Sequence, residues 1–570
     1  MGWSLTAAVF ISFCVSLAPG ADAVNARVRA SAPPVIREAP PAPVFKDEER
    51  VAELRARRER VAEKLGPNSI LVMFSAEPRV YTNDVDYEFR QENDLFYLTN
   101  LNQKDATLVL LPGNTETREI LFLPRRNPAA ETWTGHMYGP EEARQISGVG
   151  EIWEAKEFEP FMRAIRTHRA YRPQIDAILL SSRHTTGAAQ PATQPSGQTA
   201  TAQAAPTGFE SLFAAMEKNE ALLYLVLPGG ENSREYRQEQ EFAATWAKSA
   251  TGLNVRTAWP VFAEMRMRKS PSELALLQHA VDISIEGHER AQAVASRAAW
   301  EYEVEAEIDY TFKRRNADNW GYPNIVGCGP DATTLHYEES QGRVHPGDLM
   351  LIDAGAEFGH YSADVTRTFP VNGKFSKEQA DVYNIVLAAQ EAGFKAVRPG
   401  ANLSDVHNAA LEVIKDGLLR LGLITDKNGT QYRVWFMHGT SHYLGMNVHD
   451  VGVPGVKLDA GVVFTVEPGI YIRPDALDYL PRTPENEKFI AAVRPAFEKY
   501  RGIGVRIEDD VVVTPEGYRD LSGALPRTIP DIENFIARAQ REVRAEAITP
   551  DVEWPGTFMA RAWLIRNLYS

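Results

Sequence analysis

The chain is 570 residues long, beyond the size at which one hydrophobic core usually keeps growing, so at least two domains are expected. Hydrophobic residues make up 44%, enough for globular folding. Lys and Arg total 61 against 76 Asp and Glu, a formal net charge of −15, and no long basic run concentrates positive charge, which argues against nucleic acid as a partner.

Residues 5–18 form an apolar stretch, broken by Pro19 and Gly20 and followed by Ala21-Asp22-Ala23. This reads as a signal peptide over 1–23 cleaved near Ala23, and therefore as an exported protein, periplasmic or secreted. Its n-region is atypical, because no Lys or Arg precedes the apolar core. The stretch is too short for a stable membrane span and no other apolar run is long enough. The loose myristoylation pattern from Gly2 to Thr6 is set aside because an apolar core follows it. Of Cys14 and Cys328, leader removal leaves Cys328 alone, so the mature chain holds no internal disulfide and packing must supply its stability.

Residues 24–45 are rich in Ala, Pro and Val and read as an extended, solvated linker. The folded part should begin after it, with Val51, Leu54, Val61 and Leu65 at helical spacing over 47–65 and a buried strand at 69–74. Helix followed by strand predicts an α/β domain over 46–265. Residues 185–207 lack large apolar groups and read as a disordered insertion within it. The run 221–227 is a further buried strand ended by Pro228-Gly229-Gly230, and the domain should close near Arg266.

At Ser270-Pro271-Ser272-Glu273 an N-cap serine, a proline at the first helical position and a glutamate at the third mark a helix start, with Leu274, Leu277, Val281 and Ile285 on one face. A second helix shows Val304, Ile308 and Phe312, and a third opens at Ser376-Lys377-Glu378-Gln379 and carries Val382, Ile385 and Ala389. Strand-like segments lie near 348–354, 361–370, 462–472 and 503–513. Beyond a second domain over 266–529, an extension over 530–570 shows a helical pattern in Ile532, Phe535, Ile536, Ala539 and Val543, then Trp554, Phe558, Trp563 and Leu564 for core packing or a subunit contact.

The chemistry-bearing residues cluster in this second domain. Asp353 ends an apolar strand and Asp364 follows eleven residues later, across Gly355 and Gly359, so a hairpin would bring two carboxylates together. Three more segments, HGTSH at 438–442, VFTVEPG at 463–469 and GVRIED at 504–509, each set a ligand-type residue in an apolar or Gly-rich context. Isolated carboxylates are costly to bury, so something positive should await them. If Asp353, Asp364, Glu467 and Glu508 converge, mutual repulsion raises their pKa values and two divalent cations cancel the four charges. With His442 the ligand set is oxygen-rich and hard, which favours Mn2+, with Co2+, Zn2+ or Fe2+ as substitutes. Arg506 lies two positions before Glu508, on the same face of a strand, as a partner for a ligand carboxylate. Tyr471 reads as core packing. Ligand types alone leave a two-metal phosphoesterase open, although the nearby cations Arg367, Arg473 and Arg506 are explicable as ion-pair partners.

The segments LIDAGAEFGHYSADVTRTF (351–369), HGTSHYLGMNVHD (438–450), TVEPGIY (465–471) and VRIEDD (505–510) together resemble the pita-bread metallopeptidases, which include aminopeptidase P, prolidase and methionine aminopeptidase. YEFRQENDLFYLTNL (87–101) is similar to the N-terminal domain that aminopeptidase P and prolidase share. The resemblance implies an α/β N-terminal domain plus an α+β pita-bread (creatinase/aminopeptidase-like) catalytic domain, with metal ligands Asp353, Asp364, His442, Glu467 and Glu508. It implies that Asp364 and Glu508 bridge two ions about 3.5 to 4 Å apart, that Asp353 serves one, and that His442 with Glu467 serves the other. A metal-bridging hydroxide is then the nucleophile, with Glu467 as general base and His336 and His449 on the substrate carbonyl oxygen. His438 opens the Gly-rich segment and joins the catalytic group with Arg506. Peptide substrates with proline at the second position are implied by the resemblance alone, with Thr440-Ser441 favouring aminopeptidase P over a prolidase acting on Xaa-Pro dipeptides. It also implies a homo-oligomer, dimer or tetramer. A non-catalytic or metal-free relative would lack some of the five ligands, all of which are present.

Overall fold

The computed structural model describes residues 35–181, 208–228, 236–247 and 251–548, with side chains to residue 542. The leader, residues 24–34 of the 24–45 linker, the 185–207 insertion and Trp554, Phe558, Trp563 and Leu564 lie outside the described residues.

The first half of the body is built on a seven-stranded mixed sheet. Its spatial order is Ile178–Ser181, Glu151–Glu154, Glu119–Leu123, Thr107–Leu110, Ser69–Phe74, Ala221–Leu225 and Leu253–Thr257. Ser69–Phe74 is central and reads as an unbroken apolar run because both of its faces are covered. Ile70 and Val72 pack on one side with Phe122, Trp153 and Phe161. Leu71 and Met73 turn to the other side, as the strand period of two requires, and join Val61 and Leu95. That second cluster continues without a break into Leu277, Val281, Tyr361 and Val463, so the two halves share one core.

The passage between the halves is the helix Trp259–Met267. Arg266 near its end is buried, 2.7 Å from Asp94 of the first half and 2.5 Å from Asp450 of the second. Ser270 then caps the helix Pro271–Val294 through the expected box: its hydroxyl accepts from the Glu273 amide, and Glu273 accepts from the Ser270 amide. The Ser376 box opens Lys377–Ala396 in the same way. The helix Ile529–Ile548 turns Ile532, Ile536 and Ala539 inward and packs against Pro271–Val294, so this part of the extension is core.

Two expectations change in detail. Residues 36–45 form neither helix nor strand, yet they are not a free linker: the amides of Arg37 and Ala39 donate to Glu289 and Glu286, two buried carboxylates of Pro271–Val294. The segments 361–370, 462–472 and 503–513 are each two strands rather than one. They divide as Tyr361–Ser362 and Thr366–Pro370, Val463–Val466 and Gly469–Tyr471, and Gly504–Arg506 and Asp509–Thr514. Each break frees a short piece of chain from the ladder, and each such piece contains one acidic residue: Asp364, Glu467 or Glu508.

Candidate metal centre

Asp353 is the last residue of Leu349–Asp353, paired on one side with Ile325 and on the other with Thr366. The chain beyond it does not return as one hairpin. It forms a smaller hairpin, Ala356–Phe358 with Tyr361–Ser362, in a different sheet, and re-enters the first sheet at Thr366. Gly359 turns that hairpin at φ +59°, and Gly355 passes so close to its return strand that a Cβ would lie 1.9 Å from the Ala363 carbonyl oxygen. Asp353 and Asp364 therefore meet where the chain leaves and rejoins the sheet.

The backbone at the other breaks is satisfied across segments. The Glu467 amide donates to the Thr440 carbonyl at 2.8 Å, and the Glu508 amide to the Thr366 carbonyl at 3.1 Å. The first bond sets HGTSH alongside Glu467, and the second sets Glu508 alongside the strand that follows Asp364. One ligating atom each from Asp364, His442 and Glu508 lies within 4.8 Å of the others. Asp353 and Glu467 complete the acidic wall of a cavity of about 350 Å³, also lined by Tyr322, His336, His438, His449 and Arg506. Every residue expected at the site borders this one cavity.

The donor geometry tests whether cations belong here. The Tyr322 hydroxyl lies 2.5 Å from an Asp353 oxygen and 2.6 Å from an Asp364 oxygen, but it has a single proton to give. One of those contacts is oxygen against oxygen. His442 poses the same problem. Its Nδ1 lies 3.2 Å from the Tyr443 carbonyl, a bond that takes the ring proton and leaves the Nε2 lone pair 3.2 Å from Asp364 Oδ2 and 3.6 Å from Glu467 Oε1. A lone pair aimed at anionic oxygens is repulsive unless a proton or a cation lies between. Divalent ions fit this donor set.

The electrostatics agree. Burial, then repulsion from Asp364, Glu467 and Asp353, raises Glu508 well above the carboxylate range. Burial and Asp353 raise Asp364. Burial raises Glu467 to about 7, with Asp364 and Asp353 adding to it and His442 and Arg506 opposing. Burial disfavours charge on His442, but the Asp364 hydrogen bond and the nearby carboxylates outweigh it and push the imidazole up to about 9. All of these shifts describe acids that lack enough positive charge.

Arg506 is the fixed cation of the site. Its Nη2 lies 2.5 Å from Asp353 Oδ2, and its Nε donates to Thr366 Oγ1, whose own proton goes to Glu508 at 2.6 Å. The strand ends at Arg506, so it reaches Glu508 through threonine rather than as a same-face neighbour. Nη1 donates to the Tyr471 hydroxyl, which bonds His438 Nε2 at 2.9 Å, while His438 Nδ1 lies 2.7 Å from the Gly439 carbonyl. Burial and Arg506 drive the His438 pKa down to about 3, so the ring is neutral with both nitrogens engaged. His449 is different: exposed at the rim, its ring stands 4.3 Å from that of His442, and burial of part of it, then His442, lowers its pKa. His336 is exposed on the facing loop.

Tyr322, Thr366 and Asp510, which accepts the Asp364 amide at 3.0 Å, carry no sequence signal of their own. Tyr471 packs in the core, as expected, and yet its hydroxyl ties Arg506 to His438.

Comparison with known proteins extends this picture to the whole body. A family model for metallopeptidase family M24 matches residues 275–515, and one for the aminopeptidase P N-terminal domain matches residues 54–172. The chain is 34% identical over 494 residues to the Xaa-Pro aminopeptidase of Haemophilus influenzae, covering 85% of this chain and 97% of that protein. Pseudomonas aeruginosa aminopeptidase PepP superposes with a TM-score of 0.68 at 30% identity, over 87% of this chain and 99% of that one. E. coli aminopeptidase P with the inhibitor Pro-Leu superposes with a TM-score of 0.66 at 31% identity, over 88% and 100%. The second half has the pita-bread fold of these neighbours. With both halves matched in the same order, the chain belongs to the aminopeptidase P family, the Xaa-Pro aminopeptidases within metallopeptidase family M24.

Proposed function

We propose that the chain is a dinuclear metal-dependent aminopeptidase that hydrolyses the bond between the first residue of a peptide and a proline at the second position. The observation that carries this reading is the convergence of Asp353, Asp364, His442, Glu467 and Glu508 on one cavity, in a chain similar along most of its length to Xaa-Pro aminopeptidases. Five ligands with a single nitrogen favour Mn2+ over softer ions. On this reading Asp364 and Glu508 would be shared by both ions, Asp353 would hold one, and His442 with Glu467 would hold the other. When bound, such ions activate water and polarise the scissile carbonyl.

The chain's own groups do the rest. Glu467 takes the proton of the attacking water and returns it to the leaving nitrogen. That return matters for this substrate, because an Xaa-Pro nitrogen bears no hydrogen and leaves as a secondary amine. His449 and His336, free at the rim, donate to the carbonyl oxygen as it becomes an oxyanion. His438 is held by Gly439 and Tyr471 and orients the wall beside Glu467, 3.6 Å away. The peptide's amino group is received by the acidic wall.

The test is hydrolysis of an Xaa-Pro-Yaa tripeptide by Mn2+-loaded protein. Release of Xaa and Pro-Yaa is expected, lost on chelation and restored by Mn2+. Cleavage of the Xaa-Pro dipeptide alone would make the enzyme a prolidase. Two ions bound without any cleavage would make it a binding relative. Substitution His449→Ala is expected to lower kcat about 10²- to 10³-fold with little change in KM, as for loss of one oxyanion donor, and steady-state kinetics on the tripeptide checks it.

A further inference from the structure

The stretch just after Asp353 is held by a helix rather than by a strand. Where the chain leaves the sheet, the Ala354 amide is taken by the Val365 carbonyl at 3.1 Å, but the Ala354 carbonyl and the Ala356 amide face the buried helix Pro271–Val294. Buried backbone groups need partners. His288 Nε2 donates to the Ala354 carbonyl at 3.1 Å, and Ser284 Oγ accepts from the Ala356 amide at 2.9 Å while giving its own proton to Ala280. Residues four apart share a helix face, so one face supplies both bonds. Gly355, between the two anchored residues, is already pressed against Ala363.

The His288 ring does more than cap one carbonyl. The carbonyl of Val365, the residue after Asp364, lies beside the ring and accepts the amide of the same Ala354, so the residue that His288 anchors is bonded to the chain just beyond Asp364. It is completely buried, and burial holds its pKa down to about 4, which keeps it a neutral donor. A core position with no such task would suit leucine better, since a buried imidazole sacrifices its water contacts.

We propose that His288, assisted by Ser284, is a positioning residue that fixes the backbone behind Asp353 and Asp364 and so sets the separation of the two carboxylates. This rests on the reading of these aspartates as metal ligands. His288 acts only through the main chain: its one donated bond fixes Ala354, whose amide in turn holds the Val365 carbonyl.

The experiment is calorimetric titration of chelated, dialysed protein with MnCl2, alongside tripeptide kinetics, for wild type, His288→Leu, His288→Gln and Ser284→Ala. Leucine removes the donor, and about tenfold weaker Mn2+ binding is expected, with lower kcat and a KM unchanged within about twofold. Glutamine places an amide N–H near the Nε2 position and is expected to restore binding to within about threefold of wild type. Ser284→Ala should weaken binding in the same direction and by less. If His288→Leu does not fold, His288→Asn, too short to reach Ala354, takes its place and should bind Mn2+ more weakly than His288→Gln. Wild-type affinity in the leucine variant, or equal affinities of the glutamine and asparagine variants, would overturn the proposal alone. A wild-type protein that binds no Mn2+ would sink it together with the metal reading.

Discussion

Replacing Asp364 by alanine is expected to lower kcat/KM about 10³-fold or more, roughly 4 kcal/mol of transition-state stabilisation, and to reduce bound Mn2+ from two ions per chain. Asp364 touches both Tyr322 and His442 through its carboxylate. Its backbone is anchored independently, by its amide on Asp510, so the substitution removes charge without releasing the chain. The effect on stability should change sign with metal. In chelator, wild type suffers the crowding of Asp364 against Asp353 and Glu508. The alanine variant escapes it and is expected to melt at or above the wild-type temperature. In excess Mn2+ the order should reverse, because ligand binding stabilises only a chain that holds the ions. A variant that keeps its ion content and hydrolyses peptide like wild type would remove the basis for the metal centre.

Substitution of Arg266 by alanine is expected to destabilise the fold by about 3 to 5 kcal/mol, because it removes the buried guanidinium that pairs with carboxylates of both halves. The Arg266, Asp94 and Asp450 side chains are 2%, 1% and 0% exposed, so water cannot take over the role of the guanidinium. Lys269 also faces Asp450, at 3.5 Å, a longer contact than the guanidinium makes. The loss should fall on the contact between the two halves. Denaturant unfolding of the metal-free protein would show the first transition at lower concentration. Arg268→Ala is the control: that guanidinium pairs with Asp459 at the surface, and its loss should cost at most about 1 kcal/mol. If the two variants unfold alike, the buried pair does not hold the halves together.

Local signals in the sequence were legible wherever chemistry and position coincide. The Ser270 and Ser376 boxes begin helices because the capping groups are adjacent in the chain. The central strand at 69–74 was visible as an apolar run because it is covered on both faces. The acids and His442 stood out because ionisable groups in apolar settings are rare. What escaped was set by partners distant in sequence. Tyr322 follows a glycine and precedes a proline, and only the folded chain places its hydroxyl between two aspartates. The breaks at Asp364 and Glu508 are hidden because Val365 and Thr366 follow the first and Ile507 precedes the second, whereas Pro468 and Gly469 mark the one at Glu467. Residues 36–45 looked solvated by composition, and what holds them is a pair of glutamates some 250 positions away, at separations of 252 and 247.

The breaks in the strands also bear on how the protein matures. Each acid hangs from an amide bonded to a different stretch of chain, such as Glu467 to Thr440 and Glu508 to Thr366, so none is oriented until distant strands have docked. Closing such long loops is slow and comes late in folding. A growing polypeptide on the ribosome thus offers no preassembled nest to scavenge ions, and loading with metal becomes a report that the last long-range contacts have formed.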